Sequence, residues 1–262
     1  MSQSNAIHEF EIEKAGNISS QGKDTELQAL SLQWNIATAR YKYTYNFTSL
    51  GRPIIQFPQD MVALQEIIWS VRPDLVIEAG IAHGGSLILS ASMLALLDYC
   101  DAVESRAVLD PSKTKRRVLG IDIDIRAHNR QAIEAHPMAH RIDMIEGSSI
   151  SEEVITQVHA AAKNFQRVMV ILDSNHTHDH VLAELEAYAH LTTVGSYCVV
   201  FDTMVEDMPR EQTGDRPWGP GNNPKTAVRQ WIKSHPEFKV DKSIDNKLLV
   251  SVAPEGFLKR VR

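Results

Sequence analysis

The chain has 262 residues, room for one large domain or two small ones. With 43% apolar and 23% charged residues it has a globular composition, which excludes wholesale disorder. Its 33 acids outnumber its 27 bases, and the net charge of −6 argues against a general nucleic-acid coat, which needs a basic face to displace counterions.

Two cysteines, Cys100 and Cys198, cannot build a disulfide framework or a four-cysteine zinc site. Reduced thiols and a cytoplasmic location are expected. The opening MSQSNAIHEFEIEK lacks the basic-then-apolar order of a secretion signal. Ala79–Leu97 holds no charged residue over 19 positions, near spanning length. A glycine cluster splits it, so a strand, a turn and a helix are expected there, with no membrane span.

In chain order, residues 1–23 are polar and expected to be flexible. From Asp24, the apolar positions Leu27, Leu30, Leu32, Trp34 and Ile36 suggest a helix. Tyr41, Tyr43 and Tyr45 alternate before a loop reading NFTSLGRPIIQFPQD. Asp60 is placed to cap a helix carrying Met61, Leu64, Ile67 and Ile68. Residues 24–77 therefore read as a helical covering segment.

A regular alternation follows. LVIEAG (75–80), VLGIDID (118–124), RIDMIEG (141–147), VMVILD (168–173) and SYCVVFD (196–202) are short apolar runs. Helices are expected between them, over 85–99, 127–135, 151–163 and 179–190. Buried strands alternating with helices predict an α/β fold with a doubly wound, mostly parallel sheet. Pro224–Ser234 reads as another helix, and FKVD and LLVSVA as late strands, which brings the sheet to seven. The charged stretch 101–117 and the Gly/Pro-rich stretch 203–223 read as long loops.

In such a sheet ligands bind beyond the carboxyl ends of the strands. The first run ends in Glu78-Ala79-Gly80-Ile81-Ala82-His83-Gly84-Gly85-Ser86, where glycines let a backbone approach a ligand. This is not the G-x-G-x-x-G of nicotinamide enzymes, and a plain tight turn also explains it. Asp122 lies 42 residues after Gly80 and can accept from both ribose hydroxyls, although it or Asp124 could simply cap the next helix. Gly147 and Ser148 form a polar turn suited to an adenine edge, or to an ordinary helix start. Together the three ends favour a nucleoside ligand. No lysine motif cradles phosphate, so S-adenosylmethionine fits better than a nucleoside triphosphate.

The fourth and fifth ends carry the candidate chemistry. Asp173-Ser174-Asn175-His176-Thr177-His178-Asp179-His180 gathers three histidines and two acids, and Asp202 follows 29 residues after Asp173. Neighbouring parallel strands lie about 4.8 Å apart, so Asp173 and Asp202 can share a hard divalent cation. Such a cation lowers the pKa of a bound hydroxyl, and His176 is placed to remove its proton. Zinc on the H-x-H-x-H row is discounted, because the row starts a helix and does not converge. Histidines that merely solvate a loop are the competing explanation.

These strand ends resemble those of class I S-adenosylmethionine methyltransferases, with a Rossmann-like fold. More narrowly, LGRPIIQFPQD, RPDLVIEAGIAHGGS, GIDID, LDSNHTHDHVLAELEAY and GSYCVVFDT resemble the cephalosporin hydroxylase family. That family includes rhamnosyl O-methyltransferases and is related to macrolide-sugar O-methyltransferases. PWGPGNNPKTAV and DKSIDNKLLVSVAPEGFLKRV extend the likeness. The resemblance implies a methyltransferase domain over 78–262, with cofactor contacts at Glu78, Gly80, His83, Gly84, Ser86, Asp122, Gly147, Ser148 and Asp173. It implies magnesium at Asp173 and Asp202, and His176 as general base. Macrolide-sugar relatives carry two adjacent acids at the fifth strand end; here Phe201 precedes Asp202. Glu206 or Asp207 would fill the gap if the loop folds back, and water otherwise. The implied acceptor is a sugar hydroxyl of a polysaccharide, glycolipid or secondary metabolite, and a homo-oligomer is expected. A hydroxylase component, as the family name suggests, and a noncatalytic cofactor-binding accessory protein are the alternatives. Trp218 is a candidate for stacking on the sugar ring or for anchoring its loop.

Overall fold

The computed structural model describes residues 3–262, with side chains from Ala6 onward. The polar start expected to be flexible is a helix, α1 (Gln3–Gln21), which packs on the late helix α9 (Lys242–Leu248). Gln21 Nε2 donates to the carbonyl of Asn246, 3.1 Å away, so a partner distant in sequence holds this end. Helix α2 (Thr25–Ala39) starts where expected, with Asp24 accepting from the Leu27 N–H. The loop after the tyrosines contains a short hairpin, β1 (Phe47–Ser49) and β2 (Arg52–Ile54), turned at Leu50-Gly51.

Helix α3 (Pro58–Val71) is capped by Phe57 with proline at its first position, so Asp60 is not the cap. Asp60 is instead fully buried. It accepts from Ser251 Oγ at 2.6 Å and Val252 N at 2.9 Å. Burial, opposed by those two bonds, pushes its pKa up to about 7.

The alternation is present as expected: β3 (Leu75–Ala79), α4 (Gly85–Ser105), β4 (Arg117–Asp122), α5 (Ala127–Glu134), β5 (Ile142–Glu146), α6 (Glu152–Ala162), β6 (Val168–Leu172), α7 (His178–Tyr188) and β7 (Tyr197–Val200). Then come α8 (Pro224–Trp231), β8 (Phe238–Val240), α9 and β9 (Phe257–Arg260). The sheet order is β5-β4-β3-β6-β7-β9-β8, with β9 antiparallel to both β7 and β8. The run LLVSVA is not a strand. Leu248 ends α9, and the donors of Val252 and Ala253 go to Asp60 and the Ser251 hydroxyl. The stretch is apolar because Val252 and Ala253 lie in the core, not because it pairs.

Two apolar layers sandwich the sheet. Leu64, Ile67, Leu87, Ile88 and Leu94 of α3 and α4 pack with Val76, Met169 and Phe201 on one face. Val158, Val181, Leu185, Val228 and Trp231 of α6, α7 and α8 cover Ile77, Val170 and Cys198 on the other. Helix α4 is long and apolar enough to cross a membrane, but 44% of its apolar window is buried inside the protein. The chain runs outward from β3 to β4 and β5, then returns to β6 on the other side of β3. Strand connections diverge there, so a crevice opens between the ends of β3 and β6.

Candidate active site

Gly80 sits at that crevice with φ +101°, and a Cβ on it would lie 2.0 Å from the carbonyl oxygen of Asp173. Only glycine allows the two strand ends to approach so closely. Beyond it the loop is packed by protein. A Cβ at Gly84 would strike Ile133, and one at Gly85 would strike the Pro53 carbonyl of β2. Arg52 donates to the His83 carbonyl from Nε (3.0 Å) and Nη2 (2.6 Å), fixing the turn from the hairpin side. His83 and Ser86 both line the cavity described below.

Asp122 reaches back under this loop. Its Oδ2 accepts from the N–H groups of Ile81 (2.8 Å) and Ala82 (3.2 Å), and its Oδ1 from Asp124 N (3.2 Å). The carboxylate thus holds the glycine turn in shape, a role absent from the sequence reading. Glu78 lies behind the turn, 1% exposed, with neither oxygen hydrogen-bonded. Burial pushes its pKa up to about 7; the nearby Ser86 hydroxyl tempers the shift without reaching hydrogen-bond geometry.

At the end of β5, Gly147 N bonds the Asp122 carbonyl at 2.8 Å, and Ser148 O accepts from Ser151, the cap of α6. Ser149 Oγ then donates to Glu184 Oε1 at 2.5 Å. The same oxygen accepts from Ser174 Oγ, also at 2.5 Å. Glu184 is fully buried on α7, so one carboxylate joins the turns after β5 and β6.

The three histidines diverge. His180 Nε2 faces Glu184 at 3.4 Å, and His178 Nδ1 meets Thr226 Oγ1 of α8 at 2.8 Å. His176 alone turns to the crevice, where its Nε2 stands 3.0 Å from Asp202 Oδ2. Asp202 follows β7 in a left-handed conformation, φ +54°, a strained backbone for a non-glycine residue. One ligand atom each from Asp173, His176 and Asp202 lies within 4.8 Å of the others. Trp218 meets the His176 ring edge-on at 4.9 Å, and the Arg216 guanidinium lies over Trp218 at 5.0 Å.

The charges here are unbalanced. Burial raises Asp173 well above the usual carboxylate range, and the charges of Asp202, Glu78, Glu184 and Asp60 raise it further. Burial opposes charge on His176 as well, yet the adjacent Asp202 holds its pKa above the ordinary histidine value. Burial would also raise Asp202, but His176 and Arg216 keep it below the usual range.

Glu206 and Asp207 do not complete this cluster, contrary to the expectation from the sequence. Glu206 Oε2 accepts from Gly221 N at 2.7 Å and from Asn223 Nδ2, stabilising the start of α8. Asp207 pairs with Lys225, whose side chain is almost fully buried and requires a counter-charge. Phe201 is a core residue, 2% exposed, and is not part of the cavity wall. One residue that the sequence did not flag is Gln56, between β2 and α3. Its Nε2 donates to Asp173 Oδ2 at 3.2 Å.

These groups floor a cavity of about 410 Å³. Asn35, Tyr43, Phe57, Met208, Thr213 and Trp218 are among its walls, so the covering segment and the 203–223 loop form its roof. Gln212 Nε2 closes the two roof pieces on each other by donating to the Ile36 carbonyl at 3.0 Å.

A family described as Rhamnosyl O-methyltransferase/CmcI matches residues 41–261. A protein named rhamnosyl O-methyltransferase from Mycobacterium tuberculosis (strain ATCC 25618 / H37Rv) is 30% identical over 206 residues, covering 77% of this chain and 73% of its own. One of the same name from Mycobacterium leprae (strain TN) is 28% identical over 239 residues, 86% of this chain and 91% of its own. Among solved structures, the apo form of CmcI-N160 aligns with a TM-score of 0.53 at 16% identity, covering 83% of this chain and 77% of that one, and it shares the fold. The match spans the glycine turn, both acidic strand ends and the roof from residue 41 onward, and on that extent the chain belongs to the rhamnosyl O-methyltransferase/CmcI family.

Proposed function

We propose that the protein is an S-adenosylmethionine-dependent O-methyltransferase acting, with a magnesium ion, on a sugar hydroxyl of a polysaccharide, glycolipid or secondary metabolite. The observation that carries this reading is the convergence of Asp173, His176 and Asp202 across the crevice from the glycine turn. The residues fit both groups. Two carboxylates offer the oxygen donors a hard divalent cation prefers, amid buried acids that lack a matching positive charge. Glu78, a carboxyl buried behind the turn without a hydrogen-bond partner, suits the ammonium of an amino-acid moiety. When bound, S-adenosylmethionine supplies a methyl group already activated on a sulfonium, and the cation supplies a Lewis acid.

The chain's own part is then positioning and proton handling. Asp122 holds the turn, and Gly80 lets it close on Asp173. The Gly147-Ser148 turn lies beside the Asp122 strand end, where the nucleoside would sit. Asp173 and Asp202 would hold the cation, and His176 would take the acceptor proton. Trp218, edge-on to His176 with Arg216 over it, keeps the imidazole directed to the crevice. The roof covers the cavity. Fixing the reacting atoms in line is worth several orders of magnitude in such transfers.

A hydroxylase reading is not favoured: His178 and His180 are engaged elsewhere, leaving one histidine in the cluster where an iron facial triad needs two. An accessory role rested on Phe201, which the core accounts for. Self-association is supported by exposed Trp69 on α3 and exposed Leu96, Tyr99 and Val103 on the adjoining α4. Unpaired Cys100 and Cys198 suit a cytoplasmic location.

The test is calorimetry with S-adenosylmethionine followed by methyl transfer to rhamnosides, the acceptor class in the relatives' names. Binding with turnover abolished by excess EDTA is expected. Asp173→Asn should lower turnover about 10³-fold or more and His176→Gln about 10²–10⁴-fold. Full activity in EDTA removes the cation from the reading, and no cofactor binding removes the whole of it.

A further inference from the structure

Gln56 is 2% exposed, yet its amide is only half satisfied. Nε2 donates to Asp173 Oδ2 at 3.2 Å, while Oε1 is buried and has no hydrogen-bond partner. A buried amide oxygen without a donor is uncommon in native proteins and calls for an explanation. The residue is not loosely held, since its backbone N–H bonds the Thr44 carbonyl at 3.2 Å and its side chain lies in the cavity wall beside Asp173. The orientation of the amide follows from chemistry. A carboxylate that holds a cation is ionised and offers only acceptors, so in that state the NH₂ faces Asp173 and the oxygen faces away.

We propose that Gln56 is a positioning residue for the cation site: its NH₂ fixes the Asp173 carboxylate that, with Asp202, would hold a divalent cation. This rests on the cation reading above. The covering segment is thereby part of the active site and more than a wall around the acceptor. An outer-sphere partner of this kind sets the orientation of a metal-binding carboxylate, and its loss typically weakens metal binding 10–100-fold. Gln56 touches no reacting atom, so its effect should appear in cation affinity before it appears in anything else.

The experiment is titration of the full chain with Mn²⁺ alone, free Mn²⁺ being read by electron paramagnetic resonance. S-adenosylhomocysteine affinity is measured in parallel by calorimetry. Gln56→Met keeps the length and apolar bulk, removes the donor, and buries one fewer polar group, so the fold should survive. Gln56→Asn keeps the amide one methylene short of Asp173 and gives the same test if methionine is not accommodated. The wild type should bind Mn²⁺, Asp173→Asn should not, and either Gln56 variant should weaken Mn²⁺ binding about 10–100-fold with S-adenosylhomocysteine affinity retained. Wild-type Mn²⁺ affinity in both variants overturns the proposal. So does parallel loss of Mn²⁺ and S-adenosylhomocysteine binding, which would mark a general structural role. A wild type that binds S-adenosylhomocysteine but not Mn²⁺ removes the cation reading and this proposal together, leaving cofactor-dependent transfer standing. A wild type that binds neither overturns the methyltransferase reading itself.

Discussion

Asp122 at the end of β4 and Asp173 beyond the end of β6 flank β3 on opposite sides, yet their carboxylates meet different surroundings. Asp122 accepts from three backbone N–H groups. Asp173 has one amide donor, and the charges of Asp202, Glu78, Glu184 and Asp60 all oppose its ionisation. The first side of the rim is a finished piece of structure. The second carries polar groups that folding alone leaves unmatched, and native proteins keep such groups where a ligand completes them. The glycine turn is finished in the same sense, since protein atoms fill the side-chain space at Gly80, Gly84 and Gly85, although the turn borders the same cavity as the acids.

The division can be broken first at Gly80. Gly80→Ala places a methyl 2.0 Å from the Asp173 carbonyl at a φ of +101°. Strain and overpacking together should destabilise the protein by about 4 kcal/mol, read as a lower denaturant midpoint with an unchanged slope. Wild-type stability would mean that the crevice is looser than drawn here.

Glu78→Gln should act in the opposite direction. Glu78 has its folded pKa raised to about 7 from an ordinary 4.5. The native state therefore binds a proton that the unfolded chain has released, and stability falls as pH rises from about 4.5 through about 7. The variant lacks that loss, so at pH 8 it should be more stable by up to about 3 kcal/mol, with no gain at pH 4. It should also bind S-adenosylmethionine more weakly. Equal stabilisation at both pH values would show that the charge of Glu78 is not the cause. The smallest effect is expected at Glu206→Gln, which should leave Mn²⁺ affinity unchanged and cost about 1 kcal/mol through weaker bonds to Gly221 and Asn223. A changed Mn²⁺ affinity would return Glu206 to the cation site.

Much of this was legible in the residues. Five apolar runs closed by glycine or acid located the parallel strands, and two of the acids at their ends, Asp173 and Asp202, are brought together with His176. What escaped depended on contacts between distant segments. LLVSVA is as apolar as a strand, but Asp60, nearly two hundred residues earlier, takes the Val252 N–H and the Ser251 hydroxyl. Asp60 looked like a helix cap because caps are local and its true partners are not. Gln56 gave no sign, since a lone glutamine before a proline-started helix acquires meaning only when the fold brings Asp173 beside it. Glu206 and Asp207 were candidates on proximity alone, and the structure gives both to the start of α8.

Glu184 has a consequence of another kind. By gripping Ser149 and Ser174 with one oxygen, it makes the turn after β5 and the turn after β6 a single strut. A change that moved one turn would drag the other, so the floor resists piecemeal alteration. The roof, residues 34–57 and 203–218, is held differently: Arg52 and Gln56 tie its first piece to the His83 carbonyl and to Asp173, and its two pieces meet each other through Gln212 and Ile36. A lineage built on this frame can therefore acquire new acceptors by exchanging roof residues other than Arg52 and Gln56, while the floor beneath them is inherited whole.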